Sequence, residues 1–251
     1  MKCKTIHIIN LGLGVNSTAI LALIKLNKLK LSNPICVFAD VGAEKKETYE
    51  YLEFLKKVSP LPINIVKSDE KAGSLLDYCK KNEILPQRFM RWCTDRWKRK
   101  PLEVFRKSIV KKGDEDFKIV IGIAEDEKKR ARRWMNDKNA SFPLIDLQMT
   151  RQDCINVIKE VGWKVPVKSG CWFCPFAPLD EFVALKKNNR KQYEELCEME
   201  RKCLLKCKKI KGWFNDKYPL DQLLARKKPI SCDSQVCLYC FDGKQEERRD
   251  K

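Results

Sequence analysis

Histidine is almost missing from this chain. Of 251 residues only His7 carries an imidazole, and it lies inside the first strand-like run, which argues against a Ser-His-Asp triad or a histidine-rich metal site. No stretch approaches the roughly 20 apolar residues of a membrane-spanning helix. No internal repeat or low-complexity tract stands out. Met1-Lys2-Cys3-Lys4 leads into a strand-like segment too short to be the apolar region of a secretory signal. The expectation is a cytoplasmic protein without membrane association, in a reducing compartment. Acidic residues are the minority: 52 Lys and Arg face 34 Asp and Glu, a formal charge of +18. Such an excess attracts polyanions, whether nucleic acid or nucleotides, unless it only reflects a lysine-rich composition. What is abundant is cysteine, thirteen in all. In a reducing compartment, cysteines at short spacing point to metal ligands or redox groups rather than disulfides.

The apolar fraction of 43% is that of a globular chain. Thr5–Ile9, Pro34–Asp40, Ile63–Val66 and Phe117–Gly122 read as strands, with Phe142–Ile145 as a candidate fifth. Ser17–Asn27 reads as a helix, and Glu44–Val58 has the 3.6-residue period of an amphipathic one through Tyr49, Leu52 and Leu55. This strand–helix alternation predicts an α/β fold, a parallel sheet of about five strands with helices on both faces. Two regions are expected: residues 1–150 as a nucleotide-binding domain, and residues 151–251 as a helical, cysteine-rich region. In the latter, 182–210 carries an apolar helical stripe, beside which Cys197, Cys203 and Cys207 read as small apolar residues. The tail 243–251 is polar and reads as frayed.

Between the first strand and the first helix lies Asn10-Leu-Gly-Leu-Gly-Val-Asn-Ser-Thr-Ala19. Gly12 and Gly14 let backbone amides approach an anion, the helix dipole favours negative charge there, and Asn16, Ser17 and Thr18 add side-chain donors or a cap. The loop lacks the Gly-Lys-Ser/Thr of a Walker A motif and the third glycine of a dinucleotide fingerprint. An ordinary capped turn is the competing reading. Ligands of parallel sheets sit at the carboxyl ends of strands, where this loop, Asp40 and Gly122 all fall.

Gly12-Leu13-Gly14-Val15-Asn16-Ser17-Thr18 resembles the pyrophosphate-binding PP-loop, Ser-Gly-Gly-x-Asp-Ser-Thr, of the adenine nucleotide α-hydrolase superfamily. The first serine, the second-place glycine and the aspartate are replaced, as in the PAPS-reductase-like branch of phages and bacteria related to DNA phosphorothioation and tRNA thiolation enzymes. Further elements follow in family order: Phe38-Ala39-Asp40; Arg91-Trp92-Cys93-Thr94 with Lys98 and Pro101-Leu102; Gly122-Ile123-Ala124-Glu125-Asp126-Glu127 with Arg130. Pro143-Leu144, Met149–Cys154 and Lys168–Phe176 complete the likeness, which covers about residues 5–180. It implies a Rossmann-like fold that binds ATP, or PAPS or APS, with Mg²⁺. Gly12, Leu13, Gly14, Asn16, Ser17 and Thr18 would hold phosphate, and Asp40, Gly122 and Asp126 the adenosine or its metal. Asn16, Lys98 and Arg130 would act on the reacting group.

Cys171-Trp-Phe-Cys174 has the spacing that lets two thiolates reach one metal, but a zinc or iron–sulfur site usually needs four. Cys93, in a basic and aromatic segment, is a third candidate. In cluster-containing members of the superfamily a cysteine of that segment joins a later CxxC around a [4Fe–4S] centre. Cys154 is the preferred fourth ligand by resemblance to the phosphorothioation branch. The alternative for Cys154 is the apolar side of a helix with Ile155, Ile158 and Val161. Zn²⁺ would suit the same four thiolates. Cys232, Cys237 and Cys240 form a second group. They lack the Glu-Cys-Gly-type tail of assimilatory reductases and read as a persulfide relay, a ligand source or a separate zinc site, with Cys237 and Cys240 as catalytic candidates.

Arg88–Lys100 interleaves cations with Phe89, Trp92 and Trp97, and Lys128–Trp134 adds a second cationic cluster. Cations neutralise phosphates and aromatics stack on exposed bases; a solvated basic face is the plain alternative. Three functions are consistent with the whole. The first is ATP-dependent sulfur insertion into nucleic acid (tRNA or DNA), with adenylation of the target, pyrophosphate release and a cysteine desulfurase or other sulfur donor as partner. The second is a PAPS or APS reductase, and the third a non-catalytic nucleotide- or nucleic-acid-binding module.

Overall fold

A computed structural model describes residues 5–69, 73–88, 90–110, 116–134, 136–207, 210–214 and 217–226. Five parallel strands form one sheet: β1 (Ile6–Asn10), β2 (Pro34–Asp40), β3 (Ile63–Lys67), β4 (Phe117–Ile121) and β5 (Ala140–Ser141). Their spatial order is β3-β2-β1-β4-β5. Short β-branched runs such as Ile6–Ile9 suit strands covered on both faces. β1 is central, with Ile8 opposite Ile35 of β2 on one side and Ile119 of β4 on the other. Helices flank the sheet on both faces, so the architecture is the α/β one expected.

The described residues form two compact units, one from within positions 1–75 and 93–172 and the other from within 76–92 and 173–226. In the first, α1 (Val15–Lys25) is buried from Val15 to Leu23 and apolar almost all round, as a core helix should be. Helix α2 (Lys46–Val58) instead buries Tyr51, Leu52 and Leu55 and turns its Lys and Glu outward. Helix α7 (Arg151–Glu160) opens on a capping box in which Thr150 and Asp153 bond each other's backbone amide. The Thr150 bonds hold the Asp153 carboxyl below its ordinary range. Helix α7 then packs Cys154, Val157 and Ile158 into one core with Ile9, Ile20 and Leu21.

Two expected elements differ. The fifth strand is Ala140–Ser141, and Pro143–Asp146 is a helical turn, α6. Proline at the first helical position has its φ preset and needs no donor, which ends the strand before Phe142. The single helix expected over 182–210 is two, α8 (Leu179–Asn188) and α9 (Arg190–Lys206). Asn189 breaks it: its side chain accepts from the Gln192 amide and starts a new helix. The sequence reading also did not foresee α3 (Leu75–Asn82), the single turn α4 (Trp92–Thr94), the π-helical turn Asp95–Arg99 and α5 (Lys100–Ile109). Nor did it foresee the 3-10 helix Glu125–Trp134 or α10 (Leu220–Arg226). No helix among the described residues is long and apolar enough to cross a membrane.

The second unit is built on Phe182, Trp213 and Phe214, whose rings meet edge to face at 5.3–6.1 Å. Cys203 is buried there as a small apolar residue, with Cys197 and Cys207 half-buried. Glu200 of α9 is buried as well and accepts from the Trp213 amide (2.9 Å) and the Leu220 amide (2.7 Å). Burial pushes its carboxyl above the ordinary range, against the pull of those two donors. Glu200→Ala leaves two buried amides without an acceptor. It should lower the stability of this unit by about 3 kcal/mol, read from urea unfolding followed by tryptophan fluorescence.

Candidate functional site

β1 pairs with β2 on one side and β4 on the other, so the winding of the sheet reverses at β1. At such a switch point the carboxyl ends of neighbouring strands open a crevice for ligand. The loop from β1 into α1 fills this place. Leu11, Leu13 and Val15 are anchored in the core while Gly12 and Gly14 face outward, so the period-2 alternation of the strand runs on through the turn. Leu13 takes φ of 56°, a left-handed conformation that glycine adopts more easily. Burial of its side chain offsets that strain.

The α1 terminus points an uncapped end at the crevice. Gly14 is its N-cap, without a side-chain cap bond, and the first turn contains no acid. Ser17 braces the loop from within, accepting from the Gly12 amide (3.2 Å) and donating to the Gly14 carbonyl (3.2 Å). Asn16 is buried. Its Nδ2 donates to Glu127 Oε2 (3.0 Å), while Oδ1 is enclosed without a partner. Thr18 is fully buried and its amide bonds the Gly14 carbonyl, so it presents no surface to a ligand.

β4 delivers Gly122 against the same turn. A Cβ there would stand 2.8 Å from the Ser17 amide nitrogen and 3.0 Å from the Asn16 carbonyl carbon. Glycine is required for the strand end to approach so closely. The 3-10 helix then begins. Its Asp126 accepts from the Arg151 amide (3.3 Å), and Glu127 accepts from both Asn16 and Arg130 (2.7 Å). Lys128, Lys129, Arg130, Arg132 and Arg133 are exposed along it, Lys128 paired with Glu125.

At the end of β2, Asp40 is already engaged. Its Oδ1 accepts from the Gly42 amide and the Tyr49 hydroxyl (both 2.8 Å), and Lys67 lies 3.6 Å from Oδ2. Burial and the Asp40 contact push the Tyr49 phenol well above its usual range. Glu44 follows, buried, with Oε1 2.9 Å from Lys98 Nζ on the π-helical turn. A strap of residues 168–172 is clasped alongside. The Lys45 amide donates to the Gly170 carbonyl (3.0 Å), the Trp172 amide to the Ala43 carbonyl (3.2 Å), and Cys171 pairs with Glu44 as an antiparallel bridge. Ser169 Oγ lies 3.5 Å from where a Cβ on Gly14 would sit. Glu44, Glu127 and Ser169 are the residues that sequence reasoning did not single out. Glu127 and Ser169 lay inside the family elements quoted above without a role of their own, and Glu44 was signalled only as an acid just past a strand's carboxyl end.

The arrangement fits a nucleotide's phosphates: an uncapped helix terminus, glycines at its approach, and cations nearby. It does not fit the expected metal centre. Among the described residues, no three histidine, cysteine or carboxylate side chains come together so as to hold a metal ion. Cys93 and Cys171 belong to the first unit and Cys174 to the second. The structure places Cys154, the expected fourth ligand, at 0% exposure in the core of the first unit. Burial, and the nearby Asp126 and Asp153 carboxylates, push its thiol up to about 12. That is an inert core thiol. Mg²⁺ carried by phosphates is a lesser demand, since one or two carboxylates suffice. Cys237 and Cys240, with Cys232, lie outside the described residues. Trp97, expected as a stacking platform, is buried with its indole N–H on the Gly73 carbonyl. In the second unit, Arg91 instead lies 5.3 Å over the exposed Phe176 ring. A cavity of about 330 Å³ lined by Val66, Pro101, Val104 and Phe105 lies at the edge strand β3, and its Lys100 already faces Asp69 at 3.3 Å.

Two outcomes test this geometry. Gly122→Ala should cost about 2 kcal/mol or more, because the atoms it meets are backbone, and should weaken binding of pyrophosphate by calorimetry more than it weakens the fold's urea midpoint. In the native protein, Cys154 should resist iodoacetamide at pH 8 until global unfolding, while Cys93 and Cys171 react first, as read by peptide mass mapping.

No family model and no curated protein sequence matches the chain. Among solved structures, the chain is similar to phosphoadenylyl-sulfate (PAPS) reductase from Candida auris in its phosphate complex. The identity is 14% and the TM-score 0.49, over 67% of this chain and 82% of that one.

Proposed function

We propose that the chain is an adenine-nucleotide-binding enzyme of the PP-loop superfamily, which grips phosphate groups at the β1–α1 loop. The observation that carries this reading is the α1 terminus at the switch point, uncapped and free of acid in its first turn. The amides at residues 14–17 face the anion, and the helix dipole adds to their attraction. Arg130 supplies charge from the 3-10 helix once Glu127 gives way to the ligand.

Of the two reactions the superfamily resemblance implies, reduction of a sulfonucleotide fits this loop better. Replacement of the PP-loop aspartate by Asn16 removes a carboxylate from the place where ATP would be split, and a reductase leaves that bond alone. In this reading a cysteine thiolate attacks the sulfur of PAPS or APS. The sulfur–oxygen bond to phosphate breaks, the nucleotide leaves with both electrons of that bond, and an S-sulfocysteine remains. A second thiol, from an external dithiol, attacks the cysteine sulfur and frees sulfite. Cys237 and Cys240 are the candidates for the thiolate. The chain's described residues bind and orient; the loop and Lys98 hold the leaving phosphate's charge as it develops.

One observation favours the second reading, ATP-dependent sulfur insertion into nucleic acid. The 3-10 helix presents five exposed cations next to the phosphate loop, more than one nucleotide requires. There the target atom is adenylated with pyrophosphate leaving, and a sulfur donor displaces AMP.

Incubation with PAPS or APS and dithiothreitol should yield sulfite, and Cys237→Ser with Cys240→Ser should abolish it. Pyrophosphate release from ATP that depends on added tRNA or DNA would overturn the reductase in favour of insertion. Binding of nucleotide with neither product would leave a binding module, and no binding at all would refute the loop's role.

A further inference from the structure

Glu44 is buried in a way that does little for stability. Its side chain is 1% exposed, one oxygen holds Lys98 Nζ at 2.9 Å, and the other is enclosed with no hydrogen-bond partner. Lys98 is 40% exposed, so water screens the attraction from its side. Desolvating one carboxylate fully while half of its partner stays wet is a poor source of folding energy. It is an effective way to hold an ammonium still. Lys98 also sits on the π-helical turn Asp95–Arg99, and such turns recur at functional sites.

The pair is tied to the phosphate loop by the strap. Glu44 pairs with Cys171, and Ser169 on the same strap abuts Gly14. The backbone that carries Glu44 is thus linked to the loop through three successive residues of the strap, Ser169 to Cys171.

We infer that Glu44 is a positioning residue. It fixes the Lys98 ammonium as a second anion-binding group, for the phosphates of a nucleotide whose other phosphates lie on the β1–α1 loop. The inference rests on the nucleotide reading above.

The test is calorimetric titration of the full chain with ATP, PAPS, adenosine and inorganic pyrophosphate, in the wild type, E44Q, K98M and E44Q/K98M, each checked by thermal melting. E44Q and K98M should each weaken ATP and pyrophosphate about tenfold and change adenosine less than twofold. The double variant should be no weaker than either single, because the two residues act as a unit. A merely structural role would weaken adenosine equally. That result, an E44Q protein with wild-type ATP affinity, or losses that multiply in the double variant, would overturn the inference. If E44Q melts below the assay temperature, E44D keeps the buried charge, withdraws it by one methylene, and should show the same ATP-selective loss; wild-type affinity there overturns the inference. Wild-type protein that binds pyrophosphate but neither ATP nor PAPS would refute the nucleotide reading alone, and the variants would then be judged on pyrophosphate. Wild-type protein that binds none of the three would refute both.

Discussion

The close approach of β4 to the start of α1, at Gly122, is the constraint on which the rest of the first unit depends. A strand end can lie 2.8 Å from a helix amide, measured from where a Cβ would be, only if that Cβ is absent. The contact sets how far the carboxyl edge opens at β1. It also fixes where the 3-10 helix begins, and so brings Glu127 to Asn16 and Arg130 to Glu127. Leu11, Leu13 and Val15 pin the other side of the loop into the core. The turn is thus held by apolar anchors and a missing methyl group.

Burial redistributes the chemistry of the cysteines. In sequence, Cys154 sits at a plausible interval before a CxxC; in space it is one of the core contacts between α7 and α1. A thiol pushed up to about 12 by its apolar surroundings and two nearby carboxylates has almost no thiolate to offer a metal or an electrophile at neutral pH. Cys36 is buried beside β1 in the same way, and burial pushes it up to about 12 as well. A high cysteine count is therefore a weaker sign of metal chemistry than their spacing suggests, since several of these cysteines serve as small apolar side chains.

The charge is also divided. Part of the cationic excess is engaged by other groups of the fold: Arg88 donates to the Pro175 carbonyl and lies 4.5 Å over Phe214 in the second unit, while Lys98 is clamped by Glu44. On the 3-10 helix, exposed cations follow acids by three residues, and two of them are paired. A run of Lys and Arg in sequence does not distinguish these cases, because pairing depends on what other elements bring alongside.

The alternation of apolar runs with helical periods was enough to give the parallel α/β sheet, four of its strands and the glycine loop at its centre. Those signals are local: strand and helix propensity, and glycine where bulk is intolerable. Short elements escaped because they lack periodicity, as with the two-residue β5 and the π-helical turn, or because one residue, Asn189 or Pro143, resets the backbone. Glu44, Glu127 and Ser169 escaped for a different reason. Their partners lie 54, 111 and about 155 positions away in the chain, and no local pattern encodes which distant group a carboxylate or hydroxyl will meet. The sequence by itself determined the sheet, the loop and the sign of the charge, since these follow from backbone sterics and side-chain type. Only the tertiary structure decided which thiols are sealed in the core, which cations are held and which polar atoms lack a partner, because burial and pairing are properties of what surrounds a residue.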